Sequence, residues 1–168
     1  MKMRFVRYIL SVALLSTVLI PRVSGQTALE VESTSFEGVL HDNLSNKERQ
    51  GSGFTPLILK SYPVSNLFRD DAVGLNFEHI FNGAKKQNDI SMFTPRRDPC
   101  HVEQIGKSRF QIDWPADRSQ WGLEARMIYD LSKEGQIDLS FKCTPTRDLF
   151  PQGFVAMMWA SYMHRTLD

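Results

Sequence analysis

Residues 123–143 read LEARMIYDLSKEGQIDLSFKC, two runs of alternating apolar and polar side chains about a glycine-containing turn. Leu123, Ala125, Met127, Tyr129 and Leu131 share one face of the first run, and Ile137, Leu139, Phe141 and Cys143 share one face of the second. A period of two is the pattern of a half-buried strand. Parity then fixes the register. A four-residue loop would pair Leu131 with Gln136 and set apolar faces against polar ones, whereas the three-residue loop Lys133-Glu134-Gly135 pairs like with like. Gly135 takes the left-handed position of that loop. The expected pairs are Leu131 with Ile137, Tyr129 with Leu139, Met127 with Phe141 and Ala125 with Cys143. One face is buried and the other wet, so the predicted fold class is all-β, an antiparallel β-sandwich.

The same alternation extends upstream. In RFQIDWP, Phe110, Ile112 and Trp114 form the apolar face, and Pro115 ends the ladder because it has no N–H to donate. In LNFEHIFNG, the expected inward face is Leu75, Phe77, His79 and Phe81, with Asn76, Glu78 and Ile80 opposite. Downstream, FVAMMWASYM (Phe154–Met163) is apolar on both faces. It reads as a strand in this β context, with a helix as the rival, because periodicity alone does not separate the two in a short apolar run. As a strand it requires cover on both faces, so the chain is expected to be the first part of a larger β domain that self-associates through this segment. The N-terminal stretch of residues 26–52 is mixed and polar, read as one short strand around Val31 followed by a loop, with the sandwich domain spanning 53–168. Asn43 opens the sequon Asn-Leu-Ser.

At the N-terminus, Lys2, Arg4 and Arg7 precede a twelve-residue apolar run, Ile9–Ile20, and Val23 and Gly25 occupy the small-residue positions before a cut. This is the order of a secretory signal peptide, residues 1–25, and the run is shorter than the roughly 18–20 residues that span a bilayer. The expected location is therefore secreted or periplasmic, with no membrane attachment after cleavage. Removing that segment leaves 143 of the 168 residues, with sixteen basic and nineteen acidic side chains and a formal charge of −3. Such a balance argues against nucleic acid as a partner. Cys100 and Cys143 are the only cysteines. Outside the cytoplasm they form either a disulfide or two buried thiols, and their spacing resembles no zinc site.

Candidate functional residues lie in two places. Trp114 and Trp121 bracket Asp117, Arg118 and Gln120 in WPADRSQW. Flat apolar faces beside directional polar groups suit a sugar ring. Trp114 lies on the apolar face of its strand, so Trp121 is the expected stacking platform. Arg96 and Arg97 in TPRRDP can grip a carboxylate or sulfate, or pair with Asp98. His101 and Glu103 share a face if CHVEQI is extended, a weak basis for a metal even with Asp98 nearby. Glu78 and His79 are adjacent on a strand, point to opposite faces and form no acid–base pair. No cofactor is expected, and catalysis by this chain is not.

GLNFEHIFNG, MFTPRRDP, RFQIDWPA with its following hairpin, and FPQGFVAMMWASYM together resemble uncharacterised secreted bacterial proteins similar to the galactose mutarotase-like supersandwich. The likeness covers about Gly53–Met163. It implies a supersandwich of which this chain holds the N-terminal part, and carbohydrate as the partner. The histidine and glutamate that act in mutarotases have no counterpart here: WASYMH lacks the Asn-His pair. The expected function is a secreted carbohydrate-binding β-sandwich protein, with a non-enzymatic surface interaction module or an inert fragment as the alternative.

Overall fold

The computed structural model describes residues 28–43, 51–63, 65–82 and 96–164; the signal-peptide reading of residues 1–25 lies outside them. The strands are β1 (Ala28–Glu32), β2 (Phe36–His41), β3 (Gly53–Leu59), β4 (Phe77–Phe81), β5 (His101–Gly106), β6 (Arg109–Trp114), β7 (Leu123–Asp130), β8 (Asp138–Pro145) and β9 (Ala156–Trp159). They form three antiparallel sheets, ordered β1-β2-β3, β4-β9 and β5-β6-β7-β8, which do not close into a barrel. The fold is all-β and sandwich-like.

The β7–β8 hairpin has the register that parity requires. Ala125 faces Cys143, Met127 faces Phe141 and Tyr129 faces Leu139, and the ladder ends at Asp130 and Asp138. Gly135 sits at φ +66°, and the Gln136 N–H reaches the Lys133 carbonyl at 3.4 Å. On β7 every second residue from Leu123 to Leu131 is at most 1 % exposed. On β6, Phe110, Ile112 and Trp114 are buried with them, and the strand stops before Pro115 as expected.

This apolar face is covered by the first sheet. Phe54 of β3 meets Tyr129 of β7 edge to face at 4.8 Å, and the Tyr129 hydroxyl donates to the Leu75 carbonyl at 2.6 Å. The sequence reading missed β2 and β3, assigning a loop after Val31. Gly38 interrupts the apolar alternation of β2, and the ladder to β3 slips by one residue at Gly38–Leu40. A Cβ on Gly38 would stand 2.3 Å from the Pro56 carbonyl oxygen, so the missing side chain is what lets the strands meet there.

The expected faces of β4 are corrected. Ile80 is fully buried and Phe81 is 38 % exposed, the reverse of the alternation reading. Asn76 is buried too, its amide donating to the Ser52 carbonyl at 2.7 Å, which satisfies a polar group the pattern had placed in water. Leu75 takes a positive φ of 54°, and the β4–β9 register shifts between Phe77 and His79. An extra residue in the ladder resets the parity of every later position in the strand.

Candidate binding surfaces

The Trp114–Trp121 loop is built inward. Trp114 and Trp121 are both 0 % exposed, and Trp121 stacks on Phe150 with ring centroids 5.6 Å apart and planes 15° from parallel. This corrects the expectation that Trp121 is a platform for a sugar: its faces are spent on core packing. Between the two indoles runs a short 3-10 turn, Ala116–Arg118. Asp117 and Arg118 on it and Gln120 after it are exposed, so the polar part of the loop faces solvent.

The structure does bring the arginine pair to this loop. Asp98 is buried, accepts a hydrogen bond from Ser119 and accepts the Gln120 N–H at 3.3 Å. Burial raises its carboxyl above the usual range, and those two bonds oppose the shift. Asp98 is therefore engaged by the Ser119 side chain and the Gln120 N–H of the loop. The Arg96 side chain packs beside Gly51, and Arg97 is exposed, its guanidinium pKa lowered by burial and by the neighbouring Arg96 charge. Asn43 donates its amide to the carbonyls of Arg96 and, at 2.8 Å, of Asp98. That Nδ2 ties the turn down, which argues against the sequon reading.

The wet face of β5–β7 and the outer parts of β1 and β2 border a broad open concavity lined by Glu30, Glu37, Glu103, Asp113, Glu124 and Arg126, among others. His101 and Glu103 do share the exposed face of β5. Among the described residues no group of three or more His, Cys, Asp or Glu side chains is placed to hold a metal ion.

Both thiols are free. The strand registers place Cys100, Trp114, Ala125 and Cys143 in one cross-strand row, because His101 faces Asp113, Trp114 faces Ala125 and Ala125 faces Cys143. Three strand spacings of ~4.8 Å separate the cysteines by about 14 Å, twice the reach of a disulfide. The disulfide reading is thereby corrected. Burial pushes the Cys100 thiol up to about 12 and Cys143 up to about 11.

The largest departure from an ordinary surface is on the opposite flank. The inward row of β8 runs out of cover: Leu139 is 38 % exposed, and Phe141 and Cys143 are half-buried. Trp159 of β9 packs edge-on against Phe141 at 5.3 Å yet remains 42 % exposed. Phe154, Met158, Tyr162 and Met163 of the same segment are 40–58 % exposed. Phe154–Met163 is thus extended rather than helical, and only Ala156–Trp159 pairs as a strand. Arg69 lies over the Tyr162 ring at 5.7 Å. Sequence reasoning marked this segment as needing cover and as a route to self-association, but did not place Leu139 and Phe141 beside it.

Among the described residues no helix is long and apolar enough to cross a membrane. Comparison with protein-family models, with curated proteins and with solved structures finds no match for the chain.

Proposed function

We propose that this chain is a non-enzymatic interaction module, secreted through its N-terminal leader, that docks through the flank formed by β8, β9 and the segment to Met163. One observation carries the reading: large apolar side chains from two different sheets, Leu139 and Phe141 on one and Trp159 on the other, stand partly exposed on this flank, with Phe141 and Trp159 in contact. Contiguous patches of that kind mark interaction surfaces, whereas scattered exposed apolar residues do not. The test replaces the three most exposed apolar residues of the segment together, Phe154→Ser, Tyr162→Ser and Met163→Ser. The folded wild-type chain is expected to bind an apolar fluorescent dye, and the triple variant to lose that binding while keeping its cooperative thermal transition. A folded wild-type chain that leaves the dye dark at a concentration where it is monomeric contradicts the reading.

Carbohydrate recognition is a second reading, moved from Trp121 to the exposed rings. Trp159 and Tyr162 are partly exposed aromatic rings on this flank, and Arg69 lies over the Tyr162 ring. Glycan binding that is lost in Tyr162→Ser would favour it; a blank glycan array in the presence of dye binding favours protein docking.

A further inference from the structure

We propose that the occupant of this flank is a second copy of the same chain, joined edge to edge through β8 about a two-fold axis at Ser140. The inference rests on the docking reading and names its partner. Among the described residues β8 is an edge strand, paired only with β7, and all eight of its residues are exposed or half-exposed. The opposite edge is blunted: β5 carries a register shift at Gln104–Gly106, and Ile105 bulges there. The β7–β8 ladder runs from Leu123–Pro145 to Asp130–Asp138 without a break, so β8 presents a regular row of backbone groups.

Side-chain parity restricts how two such edges can meet. Directly opposed residues of an antiparallel pair point to the same face, so a pairing that keeps the apolar rows together must set some residue against its own copy. Centring on Asp138 or on Lys142 opposes like charges. Centring on Leu139 or Phe141 leaves both charges facing uncharged residues. Centring on Ser140 sets Asp138 against Lys142 of the other copy twice over, and on the apolar face sets Leu139 against Phe141 and Ile137 against Cys143.

The charges on β8 are poorly matched within the chain. Asp138 stands opposite Asp130, and Lys142 opposite Arg126, like facing like in both pairs. Asp130 is paired with Arg109, and Arg126 with Asp113 at 2.6 Å, so the partners on β7 are already engaged. Asp138 reaches Lys133 at 2.6 Å in an exposed pair. The Ser140-centred dimer places an opposite charge beside each of these residues, and it adds Leu139, Phe141 and Cys143 of a second copy to the row that runs short of cover. Lysine and proline on an edge also serve to prevent pairing, and Lys142 and Pro145 are such residues. The charge swap separates that role from the one proposed.

The experiment is sedimentation equilibrium over a concentration series on the wild type, Asp138→Lys, Lys142→Asp, the double swap, and an equimolar mixture of the two single variants. The wild type is expected to dimerise. Each single variant sets like charges together and weakens self-association at least about tenfold. The double swap restores it, and the mixture forms a heterodimer in which both cross-pairs are opposite in sign. A wild type that stays monomeric while still binding the apolar dye overturns the dimer and leaves the docking reading standing, with a different protein as occupant. A monomer that leaves the dye dark overturns both, the flank then being covered by the chain's own remaining residues. A dimer indifferent to the charge variants overturns the β8 register.

Discussion

Asp98 shows how one residue can be legible in kind and misread in role. TPRRDP suggested an arginine–carboxylate pair on a surface loop, but the carboxyl is buried and accepts hydrogen bonds from the Ser119 side chain and the Gln120 N–H. Its raised pKa has a thermodynamic consequence. In the interval between the ordinary carboxylate value and the raised folded value the native chain binds more proton than the unfolded one, so this group makes stability fall as pH rises through that window and level off above it. Asp98→Asn keeps an acceptor for the Gln120 N–H and cannot ionise. Its stability relative to wild type in urea titrations should therefore climb through the same window and then stay constant. A flat difference, or one of the opposite sign, would show that burial does not dominate at this carboxyl. Asp98→Ala, which leaves the loop donors unmet, should cost about 1–3 kcal/mol. Trp121 was misread for a related reason: position in a polar loop says nothing of which way an indole turns, and the partner that captures it, Phe150, lies 29 residues on.

At the level of strands and hairpins, legibility followed the regularity of the alternation. The β7–β8 register and the apolar face of β6 could be read because no residue breaks parity within Arg109–Trp114 or between Leu123 and Cys143 except at the turn. β4 was found, but Ile80 and Phe81 at its end exchange faces, because a single extra residue between Phe77 and His79 leaves no mark in composition. β2 and β3 were missed where Gly38 and Pro56 replace the apolar residues that would have declared them. The cysteines are a case where sequence alone left two readings open and the ladder decides. Cys100 and Cys143 share a row but stand three strands apart, and burial holds both thiols well above neutral pH. Pulse alkylation of the native chain at neutral pH should find two free thiols, Cys143 reacting slowly and Cys100 only after unfolding. An intramolecular bridge in the non-reduced mass spectrum would contradict the order β5-β6-β7-β8.

Across the described residues, the β1-β2-β3 and β5-β6-β7-β8 sheets seal one side of the core and leave the β8–β9 side open. The sequence showed that Phe154–Met163 required cover, since a segment apolar on both faces cannot satisfy itself. It did not show that Phe141 and Leu139 would adjoin it, because that depends on which sheet edge the returning chain reaches. The three tryptophans report on both sides at once: Trp114 and Trp121 are sealed in the core, and Trp159 stands 42 % exposed on the open flank. Acrylamide quenching of tryptophan fluorescence, on wild type and Trp159→Phe at a concentration low enough to keep the chain monomeric, therefore tests the central claim directly. The account predicts one readily quenched tryptophan and two shielded ones in the wild type, and the loss of the quenched component alone in Trp159→Phe. A wild type with all three shielded would contradict the open flank, and a quenched component that survives Trp159→Phe would contradict the sealed core.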